Sequence, residues 1–237
     1  MKRHATSASL IAVLVAAIFA GMGASSSAST RAVEDVFDRV KHGYADSGGV
    51  KIHYAMLGPA SGSAAAPLVV MIHGCRQTAD EVAHATRITG LADDMGCVVL
   101  LPHQNPRANA WGCWNWFDRP TAAGRGETAI VLAQMRVVRR KYRIHPRRVY
   151  VAGLSSGGAL ASVLGLRKPG AVAGVIAHSG IACGAASTPM AALGVLKNGA
   201  DTDVAQIGRE ARAANSPDSV RVPLLVVQGG ADDVVAP

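Results

Sequence analysis

The sequence predicts an α/β fold with a mostly parallel sheet and helices on both faces. Two observations carry this: short apolar runs alternate with helical stretches, and chemistry-bearing residues recur just after the runs. The apolar runs predict strands over 50–57, 68–73, 97–102, 149–152, 171–178 and 223–228. Between them, helical patterning covers 78–95, 126–142, 156–167, 190–197 and 204–214. In such sheets the working residues gather in loops beyond the carboxyl ends of the strands. His73, Pro102, Ser155, His178 and Gly229 all fall at those positions, and 58–67 reads as a small-residue loop between two strands.

The 237 residues are 49% hydrophobic and 17% charged, enough for one substantial core and one domain. Residues 1–28 combine Lys2 and Arg3, an apolar stretch over 10–20 and a run of small residues, the pattern of a secretory signal peptide. Residues 29–237 then form the one domain that remains. The apolar stretch is short for a membrane span and no second one follows, so the expectation is an extracellular or periplasmic protein without stable membrane insertion. Loss of the leader removes two cations and no acid from a net charge of +8, leaving +6. Much of that charge lies in Arg136, Arg139, Arg140 and Lys141, then Arg143, Arg147 and Arg148. A helix carboxyl end attracts cations, which accounts for this run more simply than a nucleic-acid patch, for which interleaved aromatics or a known module would be wanted, so nucleic-acid binding is not expected.

Gly153-Leu154-Ser155-Ser156-Gly157 stands between an apolar strand and a small-residue helix. In that setting a G-x-S-x-G pattern is a nucleophile elbow: the chain turns sharply, flanking glycines leave room, and the serine hydroxyl is presented at the turn. Ser155 is the candidate nucleophile. Acyl transfer also needs donors for an oxyanion, commonly the amide after the nucleophile and one from the loop after an earlier strand. Those are the backbone N–H groups of Ser156 and Cys75, with Gly74 permitting close approach, and His73 is expected to shape this loop by hydrogen bonding rather than transfer protons.

Four cysteines allow three full pairings once the chain is exported. Cys75 and Cys113 both lie in loops expected at the catalytic edge and form the preferred pair, whereas Cys97 opens a buried strand and reads as a small core residue. No C-x-x-C or H-E-x-x-H spacing occurs, so neither a metal site nor a cofactor is expected.

Taken together, His73-Gly-Cys-Arg-Gln-Thr-Ala79, Leu101-Pro-His-Gln104, Asn109 with Cys113-Trp-Asn-Trp-Phe117, Gly126-Glu127, the segment from Arg148 to Gly158 and His178-Ser-Gly180 resemble the esterase/polyhydroxybutyrate depolymerase family. The match runs in order over about residues 50–235. The resemblance implies an α/β-hydrolase fold and ester cleavage by serine, histidine and aspartate, in a family that includes polyester depolymerases and feruloyl or acetylxylan esterases. It assigns Ser155 as nucleophile and Asp232 as the triad acid, with Asp233 the nearby alternative. A buried strand ending at Gln228, followed by Gly229-Gly230, supports an acid at that place.

In this hydrolase order the histidine follows the acid, yet all eight histidines precede Asp232. The expectation is a sequence that stops before its last strand, its histidine and its closing helix; a chain without that base turns over poorly. The alternative is an upstream imidazole, His178 or His103. The substrate-facing residues are expected to be Trp111, Trp114, Asn115 and His178, with Trp116 and Phe117 weaker candidates, since this stretch holds all three tryptophans of a chain that is only 4% aromatic. The implied partner is an ester or polyester. A feruloyl or acetylxylan ester is the alternative substrate, and a noncatalytic hydrolase-fold binding protein is the alternative of another class.

Overall fold

The computed structural model describes residues 41–47, 50–57, 65–200, 203–213 and 221–237. The predicted signal peptide and most of the 58–67 loop lie outside the described residues. Among the described residues seven strands form one sheet: β1 (Lys41–Ser47), β2 (Val50–Leu57), β3 (Ala66–Ile72), β4 (Val98–Pro102), β5 (Ile144–Leu154), β6 (Gly174–His178) and β7 (Leu224–Val227), in the spatial order 1-2-4-3-5-6-7. β2 runs antiparallel to β1 and β4, and every other neighbouring pair is parallel. Parallel neighbours need crossovers, and these are helical: α1 (Ala79–Thr86), α2 (Ile88–Met95), α3 (Arg119–Ala122), α4 (Gly126–Lys141), α5 (Ser156–Arg167), α6 (Pro189–Asn198) and α7 (Val204–Ala213).

Strand alternation divides the core between the two faces. Leu68, Val70 and Ile72 of β3 pack with Val149 and Val151 of β5 against Val131 and Met135 of α4 and Leu160 and Leu164 of α5. Val69 and Met71 point the other way, joining Val99, Leu101, Ala152 and Ile176 against Val82 of α1 and Ile88 of α2. Leu160 and Leu164 are fully buried, which stabilises by about 1.5–3 kcal/mol each relative to exposure. β7 ends the described sheet, and its Leu224 and Val226 are exposed.

Several boundaries differ from the sequence prediction. The helix expected over 78–95 is two helices, because Arg87 adopts φ 50°, ψ 30° and ends α1 while starting α2. Thr78 opens α1 with a capping box, its hydroxyl accepting from Glu81 N–H while the Glu81 carboxylate accepts from Thr78 N–H. β5 begins at Ile144 rather than 149, continuing along β3 through a register shift. β6 begins at Gly174 rather than 171, since Pro169–Ala171 forms a 3-10 turn. β1 and the short α3 are additional to the predicted elements.

Candidate active site

Ser155 stands between β5 and α5 with φ 54° and ψ −121°. A serine pays a strain of about 1–3 kcal/mol at such a position, and neighbouring structure must hold it there. Its amide donates to the His178 carbonyl at the end of β6 (2.8 Å). Space for the turn comes from the glycines: a Cβ on Gly153 would lie 2.2 Å from the Gly157 carbonyl oxygen, and one on Gly157 would lie 2.3 Å from that of Ile72. Ser156 is the first residue of α5, so its N–H lacks an intrahelical partner and sits at the positive end of the helix dipole.

The loop after β3 lies alongside. Gly74 packs so closely that an added Cβ would come 3.4 Å from Ser155 Cβ. The amides flanking Cys75 are engaged, Gly74 N–H with Gln77 Oε1 (2.7 Å) and Arg76 N–H with the Trp111 carbonyl (2.8 Å). Cys75 is joined to Cys113 by a disulfide, in agreement with the preferred pairing, while Cys97 and Cys183 are free and buried. The Ser156 hydroxyl is 3.4 Å from Cys75 Sγ and accepts from Trp114 N–H at 3.3 Å. A disulfide sulfur carries no proton, so in the first contact the hydroxyl donates.

His73 is a buried structural group. Its Nδ1 bonds the Gly74 carbonyl (2.7 Å) and its Nε2 accepts from Gln104 N–H (3.1 Å), which requires the neutral Nδ1–H tautomer. Burial lowers its pKa to about 4. His103 packs near it, with ring centroids 5.8 Å apart, and takes the Ala79 amide on Nδ1.

Ser155 opens into a cleft of about 430 Å³. One wall is Trp111, Trp114, Asn115, Trp116 and Phe117; the other is Ile181 with Leu193 and Leu196 of α6. Cys75, Ser156 and Ser179 also border it. Trp111 is 56% exposed at the rim, whereas Trp114, 1% exposed, donates its indole N–H to the His73 carbonyl (3.0 Å) and holds the wall to the sheet. Trp116 and Phe117 meet edge to face at 5.6 Å.

His178 departs from the sequence expectation. It is not among the residues bordering this cleft, and it lines a separate cavity of about 50 Å³ with Gln77, Thr86 and Leu154. Strand parity is the reason: His178 lies two residues beyond Ile176 and so faces the α1–α2 side of the sheet. Its contribution to the elbow is the carbonyl that holds Ser155. His103 likewise does not border the cleft.

Asp232 lies beyond β7 and is half-buried. Its Oδ1 accepts from Val235 N–H (2.9 Å) and Val234 N–H (3.0 Å), and its Oδ2 from Ser179 Oγ–H (2.9 Å) and Gln228 Nε2–H (3.2 Å). The Val235 amide, then the Ser179 hydroxyl and Val234 amide, hold the carboxyl below the usual carboxylate range. Asp233 is exposed. Ser179, absent from the sequence-derived site, links the two halves: it follows His178, has φ 47°, and lies 6% exposed between the cleft and Asp232. The His178-Ser-Gly180 motif was the available signal, and a Cβ on Gly180 would come 2.8 Å from Gly158 backbone. Among the described residues no group of three or more His, Cys, Asp or Glu side chains could hold a metal, and no helix is long and apolar enough to cross a membrane.

The chain is similar to known proteins in sequence and in fold. It is 31% identical over 181 residues to poly(3-hydroxyalkanoate) depolymerase C of Paucimonas lemoignei, covering 76% of this chain and 44% of that protein. It is 28% identical over 176 residues to feruloyl esterase B of Neurospora crassa, covering 72% of this chain and 60% of that protein. The chain therefore spans roughly half the length of these relatives. Among solved structures, acetyl xylan esterase from Aspergillus awamori superposes with a TM-score of 0.69 at 21% identity, over 78% of this chain and 70% of that one, in keeping with an α/β-hydrolase fold. The model of the esterase PHB depolymerase family matches residues 52–237, and the chain belongs to that family.

Proposed function

We propose that this protein is an exported serine esterase that cleaves polyhydroxyalkanoate or related short hydroxyacyl esters through an acyl-enzyme. The observation that carries the proposal is Ser155, held at φ 54° by the His178 carbonyl and opening into a cleft with one aromatic and one aliphatic wall. Ser155 attacks the ester carbonyl, and the N–H groups of Ser156 and Cys75 receive the oxyanion. Each such donor is worth about 2.7–4 kcal/mol of barrier in comparable sites. Asp232, kept ionised by its four donors, orients a histidine that takes the serine proton and returns it to the departing alcohol; water then releases the acid. The described residues bordering the cleft include no imidazole, and none of the described histidines is assigned that role. Trp111 and Asn115 face the substrate, and Trp114 shapes the wall from within. No cofactor enters this chemistry.

A feruloyl ester is the second substrate reading, favoured by the aromatic wall and by the similarity to a feruloyl esterase. The test is labelling with a fluorophosphonate, followed by turnover of short hydroxybutyrate esters, polymer film and methyl ferulate. Labelling that is lost in Ser155→Ala and faster turnover of hydroxybutyrate esters are expected. Failure to label Ser155 overturns the catalytic reading in favour of a binding protein, and preference for methyl ferulate overturns the substrate class.

A further inference from the structure

Gly126-Glu127 has no part in the nucleophile, the acid or the oxyanion donors, yet Glu127 is a buried carboxylate, 7% exposed, beneath the aromatic wall. Gly126 makes its position accessible, with φ 44° and a missing Cβ that would otherwise stand 2.6 Å from Thr121 Oγ1. Glu127 N–H donates to that hydroxyl at 3.2 Å. The residue also lies in the first turn of α4, where the helix dipole favours negative charge.

All three of its side-chain hydrogen bonds are accepted ones. Oε2 takes Asn115 N–H (2.6 Å), and Oε1 takes Gln104 Nε2–H (2.6 Å) and Asn115 Nδ2–H (2.8 Å). These donors lead outward to the wall. Gln104 also donates to the Cys113 carbonyl (2.9 Å), the cysteine that bridges to Cys75. Asn115 Oδ1 accepts from Asn109 Nδ2 (2.9 Å), and Asn109 Oδ1 accepts from Trp111 N–H (3.0 Å) and Cys113 N–H (3.4 Å). The turn that carries Trp111 is thereby tied to Glu127 through Asn115 and Asn109.

We infer that Glu127 is a positioning residue whose carboxylate holds the Asn109-to-Phe117 wall in place, and so sets the affinity of the cleft for esters long enough to reach Trp111. It acts through Asn115 and Gln104 and touches no reacting atom. The consequence for long esters rests on the esterase proposal; the positioning of the wall does not.

An isosteric amide cannot take its place. Glu127→Gln puts an NH2 where an acceptor is required, facing either the Asn115 amide or the two side-chain amides. Flipping those amides gives no escape, because Gln104 Oε1 is committed to Asn105 N–H (2.9 Å) and Asn115 Oδ1 to Asn109.

Two readouts test this at temperatures well below each variant's Tm. The first needs no substrate: the chain has three tryptophans, all in this wall, and only Trp111 is exposed, so acrylamide quenching of fluorescence reports the wall's position. The second is calorimetric affinity for a methyl-esterified hydroxybutyrate trimer, measured in a Ser155→Ala background so that turnover does not intervene. Glu127→Gln is expected to increase quenching as Trp114 and Trp116 become accessible, and to weaken the trimer by about tenfold, as for loss of a charge-assisted hydrogen bond. Asn109→Ala cuts the same chain at the rim without leaving a buried carboxylate unpaired. It is expected to increase quenching in the same direction, so the inference remains testable if Glu127→Gln does not fold. A lowered Tm with unchanged quenching and unchanged trimer affinity would overturn the inference, leaving Glu127 purely structural. Increased quenching with no trimer binding even in the Ser155→Ala parent upholds the positioning role and instead rejects the polyester substrate.

Discussion

The Ser155 amide donates to the carbonyl of His178 at 2.8 Å, so the residue that leaves the β region is fastened to the neighbouring strand at the bend itself. The strain at Ser155 is local, but its support is not. It draws on β6 through this bond and on β3 through the contact between Gly157 and the carbonyls of Ile72 and His73.

Gly157→Ala tests the β3 side of that support. The new Cβ would meet the Ile72 carbonyl oxygen at 2.3 Å and that of His73 at 2.4 Å, both backbone atoms that cannot rotate aside. A loss of more than about 3 kcal/mol is expected in urea denaturation, at the severe end for single substitutions. Gly90, within α2, is open by comparison, and a Cβ added there would meet nothing within 4 Å. Gly90→Ala should therefore stabilise by about 0.5–1 kcal/mol through helix propensity and reduced unfolded-state entropy. Equal effects of the two substitutions would mean that close packing does not define the elbow.

Thiol accounting tests the covalent link at the border of the cleft. Cys75–Cys113 closes a separation of 38 residues, and Cys97 and Cys183 are buried, with burial raising the Cys97 thiol to about 12. The native protein should react slowly with Ellman's reagent, release two thiols on unfolding and four after reduction. Replacing both bridging cysteines by alanine should cost about 2–4 kcal/mol, the usual range for a native disulfide. Four reactive thiols in the unfolded, unreduced protein would refute the bridge.

How far the site was legible in the sequence follows from what each residue depends on. The elbow could be read because its glycines, strand and helix are contiguous, and α5 occupies the predicted 156–167. The α/β architecture could be read from the apolar runs, since strands buried on both faces leave little room for polar residues. The break at Arg87 could not, because arginine is a good helix former and nothing in its local pattern calls for a left-handed backbone. β1 carries Gly43 and Asp46 and has few apolar residues, so pairing with β2 rather than local pattern defines it. The face taken by His178 depends on the parity of β6 within the assembled sheet, and the Glu127 network joins two separate stretches of the loop beyond β4, at Gln104 and at Asn109 to Asn115, to α4. Neither relation is contained in any short window of sequence.

Asp232→Asn tests the acid. The amide would turn donors toward donors at a carboxylate that now accepts four hydrogen bonds. If Asp232 orients the histidine, kcat/KM on a short hydroxybutyrate ester should fall by about 10⁴-fold, as when a triad aspartate becomes asparagine, with Asp233→Asn within a few-fold of the parent. The reverse pattern would move the assignment to Asp233. The depressed pKa also has a stability consequence: the contribution of the ionised carboxylate is present above its unfolded value and is lost as pH falls through the lower folded value.

His73 provides a pH test with a window set by the structure. Burial, reinforced by the nearby His103, lowers its pKa from 6.5 to about 4 despite the Gly74 hydrogen bond, so the folded protein holds it neutral where the unfolded chain would protonate it. Between those values the unfolded state binds more protons, and stability must rise with pH. The contribution is fully present above about pH 6.5 and is lost as pH falls toward 4, on the order of 3 kcal/mol in total. Glu127 opposes it, because burial raises its pKa and its ionisation removes stability as pH rises through the range between its unfolded and folded values. Comparison with His73→Gln separates the two, since the variant keeps Glu127 and lacks the imidazole. Urea denaturation at pH 7.5 and 4.5 should show a larger loss for the parent than for His73→Gln, even though the variant starts less stable because Gln104 N–H loses its Nε2 acceptor. Equal pH dependence in the two proteins would show that His73 is not held neutral in the fold.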